Sequence, residues 1–435
     1  MRDAASGSWE ELSLGDLVTR LVNGGTPPTN IAAYWQGSTP WITGADFTPS
    51  GLSEFRRFVS DEAVRQTATN VIAKGELLLV TRTGVGKLAI APCDVAISQD
   101  ITGVYPDRQR VAVEFLYHRM RQGVEDLKKL NQGTSINGIV RNDLVSYRIA
   151  LPPLPQQQRI AEILSTVDEA IEQTEALIAK TQQIKAGLMH DLFTRGVTAD
   201  GQLRPPREEA PQLYKESPLG WIPKEWDPAT LNALVSPARP VVYGILMPGR
   251  GHPGGIPVIK VKDIVDGEVQ GDDLLLTSPQ IDAEYQRSKV RPRDVLLTIR
   301  GTVGRLAQVP THLDGANITQ DTARIGIAAG SPEFYRYYLE THVPRRHFAV
   351  NTLGQAVQGI NLRDVRTTPV PIVPDDEQLK IAEIVVAVVS SERTEREHLA
   401  KLAQAKQGLM QDLLTSRVPV AVESAKDRKE VAANV

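Results

Sequence analysis

The chain has 435 residues, 41% of them apolar and 5% aromatic, with one cysteine and a formal net charge of −3. That length suits several domains with real cores, and a lone cysteine excludes an internal disulfide framework and fits a reducing cytoplasm. No run of 18 apolar residues offers a membrane span, and a charge near neutral does not advertise unaided DNA binding.

In chain order, the opening "MRDAASGSWEEL" has no apolar signal-peptide core. Residues 1–150 read as a first domain of short β-rich runs such as "ELLLVTRT", separated by Gly, Pro, Asn and Asp. That pattern predicts a small mixed α/β unit with a curved sheet. Cys93 follows Pro92 in an apolar stretch and is expected to be buried and inert. "TRTGVGKLA" (81–89) looks like the end of a phosphate loop, but a P-loop needs G-x-x-x-x-G-K-[ST]. Thr81 stands where the first glycine belongs, and Leu88 stands where the magnesium-holding hydroxyl belongs.

Residues 151–197 predict a long helix. Apolar or small residues fall at Ile160, Ile163, Val167, Ala170, Thr174, Leu177, Thr181, Ile184 and Leu188. Alternating spacings of three and four make a coiled-coil seam. Pro155 suits its first turn. Residues 198–225, rich in proline and charge, read as an extended linker. Residues 226–371 form a second domain, with "DVLLTIRG" as a strand. Residues 372–418 form a second long helix for which Asp375 offers an N-cap. Its seam is clear at Ile381, Ile384, Val388, Leu402, Ala405 and Leu409, and poor at Ser391 and Glu395. Gly187 and Gly408, costly inside helices, suggest a close backbone approach. A polar tail, 419–435, ends the chain.

The second half repeats the first. Trp9 and Leu14 recur as Trp226 and Leu231, "PWITGADF" as "PVIKVKDI", "TRTGVGKLA" as "IRGTVGRLA" and "SQD" as "TQD". Residues 156–194 match 377–415 at 16 of 39 positions without a gap. In the second copy the phosphate-loop lysine is Arg305, which removes the ATPase reading. No G-x-G-x-x-G follows a strand, no G-x-S-x-G is present, and the seven histidines lack metal-ligand spacing. Two similar modules tied by long helices, without a catalytic set, suit a protein that measures or bridges something. A duplicated adaptor joining two proteins without DNA is the alternative.

The ordered set "PWITGADF", "RTGVGKLAI", "ALPPLPQQQRIAEIL", "GLMHDLFTRGV", "GQLRPPREEAP" and "LGWIPKEW" resembles the specificity subunit of type I restriction–modification enzymes over nearly the whole chain. The resemblance implies an α+β fold: two α/β target-recognition domains separated by two helices in an antiparallel coiled coil. It implies that each domain reads half of a double-stranded DNA target while the helices set the spacer. It implies docking of two methyltransferase subunits that methylate adenine N6 with S-adenosylmethionine, and of restriction subunits that use ATP and Mg2+. No cofactor or catalysis is then expected on this chain. The family's usual Glu-Gln at each helix start is here Gln156-Gln157 and Glu377-Gln378, which changes a cap.

Arg and Lys suit guanine and phosphate, and Asn and Gln suit adenine. Expected DNA-binding residues are therefore Thr26, Asn30, Arg56, Arg57, Arg82, Lys87, Gln99 and Asn137 in the first domain. In the second they are Arg239, Tyr243, Arg250, Lys260, Lys262, Arg300, Arg305, Gln320, Arg345 and Arg346. Partner contacts are expected at Leu188, Met189, Leu192, Leu409, Met410 and Leu413. The copies differ most between their tryptophan landmarks and the "PWITGADF"/"PVIKVKDI" blocks, so an asymmetric target is expected.

Overall fold

Short runs of β-branched and leucine residues, bounded by glycine turns, dictate small sheets here rather than one large one. The computed structural model describes residues 9–48, 51–52, 54–129, 138–354 and 358–420. The chain divides into two compact units, one of residues 1–177 with 395–435, the other of 178–394. Each unit takes one recognition domain and part of both long helices. The polar tail beyond residue 420 lies outside the described residues.

In the first unit, strands Val18–Asn23, Ile101–Pro106, Leu77–Val80 and Leu88–Ile90 form an antiparallel sheet in that order. A register shift between Val18 and Arg20 bends its edge. A second sheet runs Phe58–Val59, Thr39–Ile42, Val95–Ile97, Asn70–Ile72, with a parallel pairing of Trp41 to Ala96. All four residues of Leu77–Val80 are buried, because this central strand is covered on both faces. Glu10–Ser13 pairs with Arg148–Leu151 and closes the domain. Cys93 is only half-buried, since its strand-turn lies at the domain surface.

The second unit repeats the plan. Val242–Tyr243, Thr322–Ile325, Val295–Thr298 and Leu306–Gln308 form the first sheet. Leu275–Thr277, Ile256–Ile259 and Asn317–Ile318 form the second, again with one parallel pairing. Asp227–Thr230 closes on Pro369–Ile372. Even the closing bond recurs: Leu14 N–H donates to the Tyr147 carbonyl, and Leu231 N–H to the Thr368 carbonyl, both at 2.8 Å.

The long helices are Leu154–Thr194 and Asp375–Leu413. Asp375 is the first helical residue rather than the cap before it. One buried glutamine fastens each helix start to its domain. Gln157 accepts from Ala112 N–H at 2.9 Å and donates to the Pro152 and Arg110 carbonyls. Gln378, its repeat, accepts from Ser331 N–H at 2.7 Å and donates to the Val373 carbonyl. Ala112 and Ser331 each stand immediately before a short helix, Val113–Gln122 and Pro332–Tyr338. The amide side chain, donor and acceptor at once, satisfies groups that an apolar residue would leave bare.

Within each unit the helix segments pack antiparallel. In the first, Asp168 pairs with Lys406 and Gln156 donates to the Val420 carbonyl. In the second, Lys185 and Gln182 meet Glu392, while the Arg204 guanidinium pairs with Glu377. Leu177 and Ile184, expected in the seam, are exposed; Ile178 is 7% exposed and Lys185 turns inward instead. Adjacent apolar residues left the phase of the seam undecided, and inward charge resolves it. In the second helix charge is buried both in the weak middle, at Glu392, and nearer the C-terminal end, at Lys406. A buried ion pair adds little net stability but penalises any register that separates it. No atom lies within 4 Å of a Cβ built on Gly187 or Gly408, so neither answers a close approach.

In the first unit His118, buried against this helix pair, lies 3.9 Å from Asp168 and faces Lys406, Arg121, Tyr117 and Ser165. Burial pulls its pKa from 6.5 down to about 4, with Lys406 and Arg121 assisting and Asp168 opposing. The unfolded chain then takes up a proton that the folded one refuses, so stability falls as pH drops from about 6.5 to about 4.

Two outcomes are expected in denaturation. Gln157→Met and Gln378→Met each cost about 2 kcal/mol, the scale of stranding buried polar groups, while Gln158→Ala at an exposed neighbour costs about 0.5 kcal/mol or less. His118→Phe flattens the acid-side loss of stability between pH 6.5 and 4; an unchanged slope places the proton elsewhere.

Candidate nucleic-acid interface

Each domain exposes one strand end built from a strand, a glycine turn and a basic residue. In the first unit Val80 ends the central strand. Gly86, at φ +94°, donates from its N–H to the Val80 carbonyl, and Gly84 is also left-handed at +86°. In the second, Gly304 at φ +95° donates to the Thr298 carbonyl. Thr81 and Arg82 N–H both donate to the Asp100 carbonyl, at 2.8 and 3.3 Å, and Ile299 and Arg300 N–H both donate to that of Asp321 at the same distances. The turn is thus a rigid corner. Its glycines serve backbone geometry, and no hydroxyl stands where a nucleotide's magnesium would need one.

The loops that follow the first strand are anchored alike and differ in chemistry. Gly24 and Gly244 pass so close to the carbonyls of Ile97 and Ile318 that a Cβ would overlap them. Gly25 N–H donates to Ile97 and Ile245 N–H to Ile318, at 3.0 and 2.7 Å. Beyond these anchors the first unit presents Thr26, whose hydroxyl donates to Gln99 Oε1, and exposed Asn30. The second presents Leu246 and Met247, both exposed. It also has an open cleft of about 550 Å³ lined by Arg250, His252, Lys260, Lys262 and Asp273.

The candidate residues separate by what they touch. Arg82, Arg250, Arg345 and Arg346 are exposed. Arg300 donates to Gln320 at 3.2 Å, and Tyr243 is 52% exposed. Other candidates have structural duties. Lys87 Nζ donates to the Gly44 carbonyl at 2.8 Å, and Arg305 donates to the Ile264 carbonyl at 3.3 Å. Each ties its turn to the "TGADF"/"KVKDI" loop, which explains why the basic residue recurs. Arg56 pairs with Asp46 at 2.6 Å, and this pair helps hold the Asp46 carboxyl below its usual range against burial. Arg57 lies 4.5 Å over the Trp41 ring. Arg239 reaches buried Asp294 at 2.7 Å. Lys262 pairs with Asp263 at 3.1 Å, and the Lys260 backbone N–H donates to the same carboxylate at 2.8 Å. Asn137 lies outside the described residues.

Of the expected partner residues, Leu192 is 0% and Leu413 is 6% exposed, within the cores of their units. They are spent on folding, whereas Leu188, Met189, Leu409 and Met410 are half-buried at the margins. Two grooves lie there at repeat-related places. In the second unit one of about 790 Å³ is lined by Lys185, Met189, His190, Trp221, Thr341 and Arg345, among others. In the first, one of about 480 Å³ is lined by Arg121, Gln122, Lys406, Gln407, Met410 and Gln411. Arg345 therefore borders a groove at the helices. The sequence reading passed over Lys185 and Lys406. Lysine stands at the same place in both copies of the helix here, as it also does at Lys180 and Lys401. Among the described residues no three His, Cys, Asp or Glu gather as a metal site requires.

Residues 7–183 match the family model described as the type I restriction modification DNA specificity domain. The type I restriction enzyme EcoBI specificity subunit of Escherichia coli is 28% identical over 291 residues, 66% of this chain and 60% of that relative. The match thus spans less than two thirds of that relative's length. A putative type I restriction enzyme MjaX specificity subunit of Methanocaldococcus jannaschii is 24% identical over 436 residues, covering 95% of this chain and 94% of its own. The crystal structure of a type I restriction–modification S subunit from M. genitalium shares the fold, with a TM-score of 0.61 at 16% identity over 96% of this chain and 98% of that one.

Substitutions separate the structural from the free cations. Arg239→Ala strands buried Asp294 and is expected to cost about 3 kcal/mol in denaturation. Arg82→Ala and Arg250→Ala are expected to stay within about 0.5 kcal/mol of the parent, while each lowers the salt dependence of duplex binding by about one unit of slope.

Proposed function

We propose that the chain is a type I restriction–modification specificity subunit, a reading supported by the match of residues 7–183 to that DNA specificity domain, and that it supplies the DNA specificity of such an enzyme by reading an asymmetric, two-part target. Each recognition domain reads one half on double-stranded DNA. The two long helices set the length of the unread spacer and dock two methyltransferase subunits. Those subunits bind S-adenosylmethionine and methylate adenine, and restriction subunits supply ATP- and Mg2+-dependent cleavage. The chain itself performs no chemistry.

One observation carries this reading: the same pinned strand ends occur in both units, and the loops beside them differ in chemistry. Rigid corners with exposed, adaptable loops suit base readout, because position comes from the scaffold and sequence from the side chains. Repetition of the grooves beside Lys185 and Lys406 supports docking of like partners on both units. A formal charge of −3 fits a reader that borrows part of its phosphate grip from partners.

The test is mapping of adenine methylation in cells with and without the chain. A two-part motif is expected to appear only with it. Removing residues 171–177 and 397–403 together takes two turns from paired helix segments, roughly 10 Å of rise. The spacer is then expected to shorten by about three base pairs at 3.4 Å each, with both half-sites retained. Altered half-sites would contradict the spacer role, and chain-independent methylation would contradict the function.

A further inference from the structure

In the second unit an exposed apolar pair stands beside the open basic cleft. Tyr243, Leu246 and Met247 are 52%, 51% and 77% exposed. Single exposed apolar residues are ordinary, but three within five residues at a strand end and the loop after it call for an occupant. The loop is also held firmly. Gly244 tolerates no side chain against Ile318, Ile245 is fully buried, and Gln320 N–H donates back to the Ile245 carbonyl at 2.9 Å. Three residues beyond Ile245, the Thr277 hydroxyl donates to the Pro248 carbonyl at 2.9 Å. Leu246 and Met247 are therefore presented between two pinned points, unable to fold back into the core.

The neighbouring chemistry selects the occupant. Arg250, His252, Lys260 and Lys262 line the adjacent cleft against one acid, Asp273. Arg300 and Gln320, hydrogen-bonded to each other, stand on the corner beside the loop. An apolar protein surface would leave Arg250 and Lys260 unanswered, whereas a DNA groove meets both kinds of group. Its phosphates and guanine edges take cations, and the apolar group it displays in the major groove is the 5-methyl of thymine. The equivalent place in the first unit holds Thr26, hydrogen-bonded to Gln99, followed by Pro27 and Pro28.

Resting on the DNA-reading function above, we propose that Leu246 and Met247 are specificity-determining residues that pack on a thymine methyl in the half-site read by the second unit. The first unit, with a hydrogen-bonded threonine and a buried proline at the matching place, makes no such contact. The two halves of the target thus differ in chemical character at one scaffold position.

The experiment has two arms, both using the full chain with its methyltransferase partners. Methylation mapping compares the parent with Leu246→Asn/Met247→Asn, whose exposed side chains leave folding intact. The variant is expected to lose discrimination at one T·A position of one half-site, with the other half unchanged. Duplex binding then compares thymine with deoxyuridine at that position, which removes only the methyl. The parent is expected to bind the deoxyuridine duplex about fourfold more weakly, the effect of one buried methyl, and the variant to bind both equally. An unchanged motif, a half-site without thymine, or equal binding by the parent overturns the proposal while leaving the DNA-reading function standing. Absence of chain-dependent methylation overturns that function itself.

Discussion

Everything else in this molecule hangs on how each long helix is fastened where it begins. Gln157 and Gln378 are buried, and each bonds both to the turn before its own helix and to the start of a short helix in the domain. The fastening is directional, because a side-chain amide must present its oxygen one way and its nitrogen the other. A helix held this way cannot swivel freely on its domain, so the domain's strand–glycine corner keeps a set direction relative to the helix start. In the second unit a further tie is added. The Arg204 guanidinium, carried by the linker, pairs with Glu377, whose carboxylate also accepts from Val197 N–H at 2.8 Å. The first unit has Gln156 in place of that carboxylate, donating to the Val420 carbonyl instead. The linker expected to be an extended tether is, in this stretch, part of the second unit's packed structure.

The second organising constraint is charge placed inside the helix pairing. Lys185 and Lys406 occupy the same place in the two repeats and each meets an acid on the opposite helix, Glu392 or Asp168. Apolar seams alone tolerate slippage by a heptad; an inward lysine does not, because its partner must slide with it. For a protein whose helices are proposed to measure a spacer, register matters more than added stability.

Much of this was legible in the sequence because it was written twice. The alignment of the halves marks the strand–glycine corner and both long helices, Leu154–Thr194 and Asp375–Leu413. The repeat also argued against nucleotide binding, since a chemistry that needs lysine does not survive its replacement by Arg305. What the sequence did not reveal was which basic residues also have partners within the fold. Arg239, Lys87 and Arg305, expected at DNA, bond the Asp294 carboxylate and the Gly44 and Ile264 carbonyls. A basic side chain carries no mark of where it points, and the carbonyls it meets are silent in sequence. The seam slipped for a related reason: Leu177 and Ile178 are equally apolar, and only packing chooses between them.

The central claim is that each unit reads its own half-site and carries that reading with it. The closing bonds at Leu14–Tyr147 and Leu231–Thr368 mark equivalent junctions, so residues 14–147 can be replaced by a second copy of 231–368 at matching backbone positions. Methylation mapping with this chimaera is predicted to give a target whose two halves are the same sequence, the one read by the second unit. A target that keeps the first unit's original half would contradict the account.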